Sequence, residues 1–276
     1  MTASTPDALW ASRSVRHLRP GGVVCRDVRR TVRGRRLLDG ASLAVPVGGR
    51  LLLVGDPPPA ASLLLRILAG LARADAGSVQ LAGVDRADPG AGGWAGRIAY
   101  VGPGAVLPRW LAPREALDLA ARLHGYAGDE RARMVEAAVV RYGLDAGGGA
   151  DRPMRRSGTA VAERTALAAA LVGSPEVLLL DDPLRALDED SRIRLLGLVP
   201  KRTTMVIASR LPASDAALAT RVALLRGGRV ALQAPLRALA ERGLPVSMRG
   251  IEALAELVAR PEAPDGRRRP ARSAAP

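Results

Sequence analysis

Apolar residues along this chain fall into short bursts of two kinds, and their spacing predicts alternating strands and helices. Val23-Val24-Cys25, residues 41–45 and residues 50–54 read as strands, and the last of these is apolar from Leu51 onward, as for a strand buried on both faces. After a loop over 55–60, the run from Ser62 to Leu71 distributes its apolar positions as a helix ending near Gly70. Residues 97–101 predict another strand entering a Gly- and Pro-containing loop. Between Pro113 and Tyr142 one apolar stripe passes through Ala116, Leu117, Leu119, Ala120 and Leu123, and a second through Met134, Ala137, Ala138 and Val139. The two stripes predict a small helical subdomain. An alanine-rich helix over 160–171 leads to Glu176-Val177-Leu178-Leu179-Leu180, a buried strand ending in Asp181-Asp182-Pro183. The remainder alternates helix (190–198), strand (204–208), helix (213–219), two strands (222–225 and 229–232) and a last helix (251–259), which is α/β organisation.

Composition narrows the picture. A length of 276 residues supports one main domain, and no stretch reaches the roughly 18 uninterrupted apolar residues of a spanning helix. The first twenty residues hold Arg13, Arg16 and Arg19 without an apolar core, so they do not read as a signal peptide, and cytoplasmic residence is the expectation. Cys25 is the single cysteine, and His17 and His124 lie far apart, so no disulfide or metal-ligand spacing is present in the sequence. The chain has no Phe and one lysine, Lys201, against abundant Arg, Ala and Gly, the mark of a GC-rich genome.

The net charge of +14 is concentrated at the ends. Residues 1–36 carry nine arginines against Asp7 and Asp27, and Arg267, Arg268, Arg269 and Arg272 cluster in the tail. Residues 1–22 therefore read as a basic extension and 261–276 as a disordered basic tail. Such blocks attract anionic surfaces, whether lipid headgroups, phosphates or acidic protein faces, or stand as solvated arginines in mobile ends.

Several runs then fall in a recognisable order: Leu38-Asp39-Gly40-Ala41-Ser42-Leu43, Leu64-Leu65-Arg66-Ile67-Leu68-Ala69-Gly70-Leu71, Arg97-Ile98-Ala99-Tyr100-Val101, Ser174-Pro175-Glu176 through Asp188, and Thr220-Arg221-Val222 through Val230. From about residue 23 to 259 the chain resembles the ATP-binding subunits of ABC transporters, and the helix around Ile251-Glu252-Ala253-Leu254 resembles that of drug-export members. The resemblance implies an α/β, P-loop NTPase-like ABC ATPase fold over 23–260, with a mixed sheet core, an antiparallel β segment and a small helical subdomain over about 104–158. It also implies ATP and Mg2+ as cofactors, a membrane permease and a second ABC ATPase, identical or different, as partners, and a peripheral position at the inner face of the membrane. Nucleic acid is not an expected partner.

Placed on the family's motifs, the chemistry thins out. A P-loop needs Gly-x-x-x-x-Gly-Lys-Ser/Thr because its N–H groups wrap phosphates, its lysine neutralises them and its hydroxyl holds Mg2+. Here the segment is Gly55-Asp56-Pro57-Pro58-Pro59-Ala60-Ala61-Ser62, followed by Leu63, and only Gly55 and Ser62 match. Three prolines remove N–H donors, Ala60 stands at the second glycine and Ala61 at the lysine. Val32 stands where the family places an aromatic ring under adenine, and Pro103 where a glutamine would touch the metal and water. Of the Leu-Ser-Gly-Gly-Gln signature, Ser157 and Gly158 remain. Asp181 matches the metal-linked aspartate, Asp182 replaces the catalytic glutamate with a carboxylate one methylene shorter, Arg210 replaces a histidine at the γ-phosphate, and Asp188 is retained after the acidic motif. The resemblance thus points to a transporter subunit with ATP binding and hydrolysis weak or absent. The alternatives are a divergent but active transport ATPase and a regulatory or scaffold pseudoenzyme.

Overall fold

The structure is a computed structural model that describes residues 22–85, 95–103 and 107–259. The basic extension up to residue 21, the basic tail and part of the helical segment at 104–106 lie outside the described residues. Among the described residues ten strands form two sheets. A four-stranded antiparallel sheet has the order β2-β1-β4-β5, from β1 (Val23–Val32), β2 (Arg35–Val45), β4 (Ala76–Leu81) and β5 (Val84–Asp85). A six-stranded sheet has the order β10-β9-β3-β8-β7-β6, from β3 (Arg50–Asp56), β6 (Ile98–Val101), β7 (Val177–Asp181), β8 (Thr204–Ala208), β9 (Arg221–Arg226) and β10 (Arg229–Pro235). In this sheet β10 alone runs antiparallel to its neighbour, β9.

The apolar runs at β3, β7 and β8 are continuous because both faces of the parallel sheet are covered, and alternate residues serve different cores. Leu51 and Leu53 join Leu179 and Val206 in a core shared with the antiparallel sheet and with helix α1 (Pro58–Leu68). Leu52 and Val54 join Leu180 and Ile207 in a second core on the opposite face. That second core is covered by α2 (Pro113–Leu123), α3 (Gly128–Arg141), α5 (Thr159–Val172), α6 (Glu189–Gly197) and α9 (Met248–Ala259). Short helices α4 (Met154–Ser157), α7 (Pro212–Asp215) and α8 (Arg237–Ala240) fill the connections. The fold is mixed α/β, as the sequence pattern implies.

Several boundaries differ from the sequence pattern, each for a local reason. Strands β1 and β2 continue through arginine-rich stretches to a two-residue turn at Arg33-Gly34, because this hairpin exposes its charged positions while Val28 and Leu38 face the core. Helix α1 begins at Pro58 rather than Ser62, since proline is suited to the first helical turn, where its missing N–H would have no partner. The expected helix over 213–219 is a turn of α-helix followed by a 3-10 turn over Ala216–Leu218.

Candidate functional site

The site expected from the sequence gathers at the carboxyl ends of β3, β7 and β8, where an α/β sheet places its ligands. Gly55 and Asp56 close β3, and α1 starts only one residue beyond Pro57. The interval expected as a loop over 55–60 is therefore almost entirely strand and helix. Pro57 is the N-cap with no side-chain cap, Pro58 and Pro59 fill the first turn, and the Ala60 N–H donates to the Pro57 carbonyl at 3.0 Å. Ala60, at the second glycine of the motif, lies in the helix rather than at positive φ and carries no left-handed backbone. Ala60 and Ala61 are both buried and belong to the core around α1. A Cβ on Gly55 would approach the Ala61 Cβ and N to 2.9 Å, so glycine is required there by the close contact of strand and helix. Leu63 is half-buried and packs against the same core.

One turn into the helix, the Ser62 hydroxyl donates to Asp181 Oδ1 at 2.7 Å. The Tyr100 hydroxyl, from β6, donates to Asp181 Oδ2 at 3.1 Å. Burial, followed by the charge of Asp181, pushes the Tyr100 phenol above its ordinary range and keeps it a donor. Both oxygens of the buried Asp181 carboxylate are thus engaged by protein hydroxyls. The two residues expected to hold a metal, Ser62 and Asp181, are brought together, in contact with each other. Among the described residues, no cluster of three or more His, Cys, Asp or Glu gathers as a metal-ligand set.

Asp182 is surrounded by guanidinium groups. Arg185 Nε donates to its Oδ1 at 2.7 Å, and Arg210 Nε donates to its Oδ2 at 2.8 Å, with Arg210 Nη2 bonded to the same oxygen. Burial pushes the Asp182 carboxyl up, but the hydrogen bonds and charges of Arg210 and Arg185 outweigh it and hold the group below the ordinary aspartate range. Arg185 continues inward to Asp215, which also accepts from Arg192 Nε at 3.1 Å and from the Ser209 hydroxyl. Asp215 is fully buried and Arg192 is 5% exposed, whereas the Arg210 side chain is 66% exposed at the rim. Asp182 and Arg210, expected as separate catalytic groups, form one ion pair. Sequence reasoning missed Tyr100, Arg185, Arg192, Ser209 and Asp215 as members of this site. The three-residue spacing of Asp182 and Arg185 was the one local signal.

The remaining positions lie apart from the carboxylates. Asp188 caps α6, accepting from the Ser191 N–H at 2.8 Å, and the Ser191 hydroxyl followed by this N–H holds its carboxyl below the ordinary range. Ser157 ends α4, and Gly158, with φ 83°, is the N-cap that precedes α5. Val32 is half-buried at the end of β1, and Pro103 is exposed after β6.

A mostly parallel sheet with a strand-to-helix junction beside an acid-ended strand defines a P-loop NTPase-like domain. The chain belongs to the ABC transporter family: residues 38–185 match that family's model. It is 36% identical over 228 residues to the aliphatic sulfonates import ATP-binding protein SsuB of Cupriavidus necator, covering 78% of this chain and 70% of that protein. It is 32% identical over 202 residues to the daunorubicin/doxorubicin resistance ATP-binding protein DrrA of Streptomyces peucetius, covering 71% of this chain and 60% of that one. The second likeness agrees with the drug-export resemblance of the sequence. Among solved structures, an ATP-binding subunit of an ABC transporter superposes with a TM-score of 0.70 at 19% identity, over 86% of this chain and 99% of that one. A bacterial Atm1-family ABC exporter with ATP bound superposes with a TM-score of 0.69 at 23% identity, over 90% and 43%. These structural likenesses establish the fold. Among the described residues no helix is long and apolar enough to cross a membrane.

Proposed function

We propose that this chain is a transporter subunit that docks on a membrane permease at the cytoplasmic face and neither binds ATP·Mg2+ tightly nor hydrolyses it. The β3–α1 junction carries the reading. A phosphate cradle needs N–H groups aimed at the anion and a cation beside it. Pro57, Pro58 and Pro59 have no N–H to offer, and Ala61 supplies a buried methyl where the family has a lysine. Ser62 and Asp181, which would hold Mg2+, satisfy each other, and Tyr100 takes the second carboxylate oxygen. Asp182, held below its ordinary range by two guanidiniums, is a weak base for drawing a proton from water. ATP and Mg2+ do not fit the groups present.

Transport as the setting follows from the relatives' names, an aliphatic sulfonates import ATP-binding protein and a daunorubicin/doxorubicin resistance ATP-binding protein. By family resemblance each ATP site pairs the P-loop of one subunit with the signature of its partner. A homo- or heterodimer containing this chain then has both composite sites impaired, one through Pro57 to Ala61 and the other through the reduced Ser157-Gly158 signature. The opposing reading, a divergent active ATPase, draws on the contact of Ser62 with Asp181. Isothermal titration of the full chain with ATP and Mg2+, followed by phosphate release, separates the two. No heat of binding below millimolar ATP and background phosphate release are expected; micromolar binding with turnover would overturn the proposal.

A further inference from the structure

The β1–β2 hairpin carries charge that the fold does not neutralise. Val32 and Arg35 pair across the turn Arg33-Gly34, whose residues have φ of 50° and 76°. A turn of this kind favours asparagine or glycine at its first central position, so arginine there is a local cost. Arg29, Arg33 and Arg35 are exposed and make no ion pair among the described residues. Arg36 and Arg229 share Asp39, at 3.2 and 3.4 Å, and Arg30 takes Asp75 at 2.6 Å. The Asp39 N–H also donates to the Gly228 carbonyl at 2.8 Å, which fixes the β9–β10 turn, and Arg229 with it, against the hairpin. Around the hairpin and the β9–β10 turn these six guanidiniums thus stand with Asp39, Asp75 and the exposed Asp27 of β1, three carboxylates in all.

The shape and composition of the patch select among anionic partners. Residues 23–45 contain no aromatic side chain, so the hairpin has no platform on which nucleic-acid bases could stack. Its tip is a convex two-residue turn, which suits a broad charged plane rather than a small ligand needing enclosure. We propose that the tip docks the domain on an anionic phospholipid surface, an inference that rests on the reading that the chain works beside a membrane permease. Each free arginine brought to such a surface contributes roughly fivefold in partition, so Arg29, Arg33 and Arg35 together contribute roughly 100-fold.

The test is co-sedimentation of the full chain with phosphatidylcholine vesicles with and without 30% phosphatidylserine, in about 0.1 M and 0.5 M salt. The wild type is expected to sediment with the anionic vesicles at low salt only. The variant Arg29→Gln/Arg33→Gln/Arg35→Gln is expected to lose roughly 100-fold in partition while melting at the wild-type temperature. A control with Arg267, Arg268 and Arg269 changed to Gln is expected to retain most binding. Undiminished binding by the hairpin variant overturns the proposal, and so does preferential capture of a single-stranded RNA oligonucleotide that displaces the vesicles. ATP turnover would sink the inactive-site reading and leave the vesicle result standing, so the two failures are distinguishable.

Discussion

Asp215 is where one side chain carries the most buried charge. It is fully buried and holds Arg185, Arg192 and Ser209, and Arg185 in turn holds Asp182. Removing one partner from a buried ionic cluster leaves the others desolvated and unpaired, which costs about 3–5 kcal/mol. Asp215→Ala should therefore lower the urea midpoint sharply at unchanged slope, whereas Asp188→Ala should lose only a helix cap, about 1 kcal/mol. A midpoint equal to that of the wild type for Asp215→Ala would show that the cluster contributes nothing. The sequence singled out Asp182 and Arg210 one by one but not as a pair, because they lie 28 residues apart and meet only when β7 and β8 align. Asp215 was invisible for the same reason: a buried aspartate is recognised by the arginines around it, and Arg185 and Arg192 come from other segments.

Elements were more legible than contacts. Strands β3, β7 and β8 announce themselves because burial on both faces demands unbroken apolar runs, and β8 has the bounds its pattern predicts. The hairpin β1–β2 was shortened in the sequence reading because its exposed positions are arginines, which carry no alternating apolar signal past Cys25. At α1 the sequence revealed which groups were missing but not what replaced them. Three prolines read as a broken phosphate loop, and in the fold they start the helix early, drawing Ala60 and Ala61 into the core. Restoring the lysine alone is then a packing error rather than a repair. Ala61→Lys should cost about 1–3 kcal/mol through overpacking and give no ATP affinity. Urea unfolding and ATP titration of the same variant check both halves, and tight binding by the single substitution would mean that the junction still forms a cradle.

At the scale of the whole molecule, the two cores share the six-stranded sheet, so binding at the ends of β3, β7 and β8 would be felt throughout. A ligand that binds only the folded state at about 100 times its Kd adds about 2.7 kcal/mol of stability. For a chain of this size each kcal/mol moves the melting temperature by about 2–4 °C, so a functioning ATP site should raise it by about 5–11 °C at saturation. The internal partners of Asp181 and Asp182 already occupy the oxygens that a bound metal and nucleotide would engage. Binding would first have to break those contacts, which subtracts from any gain. The melting temperature with and without millimolar ATP and Mg2+ is therefore expected to agree within about 1 °C, well below the shift that mass action requires of a binder. A rise of several degrees that depends on Mg2+ would mean that Ser62 and Asp181 open to a metal, and the contact between them would then be the resting form of a working site.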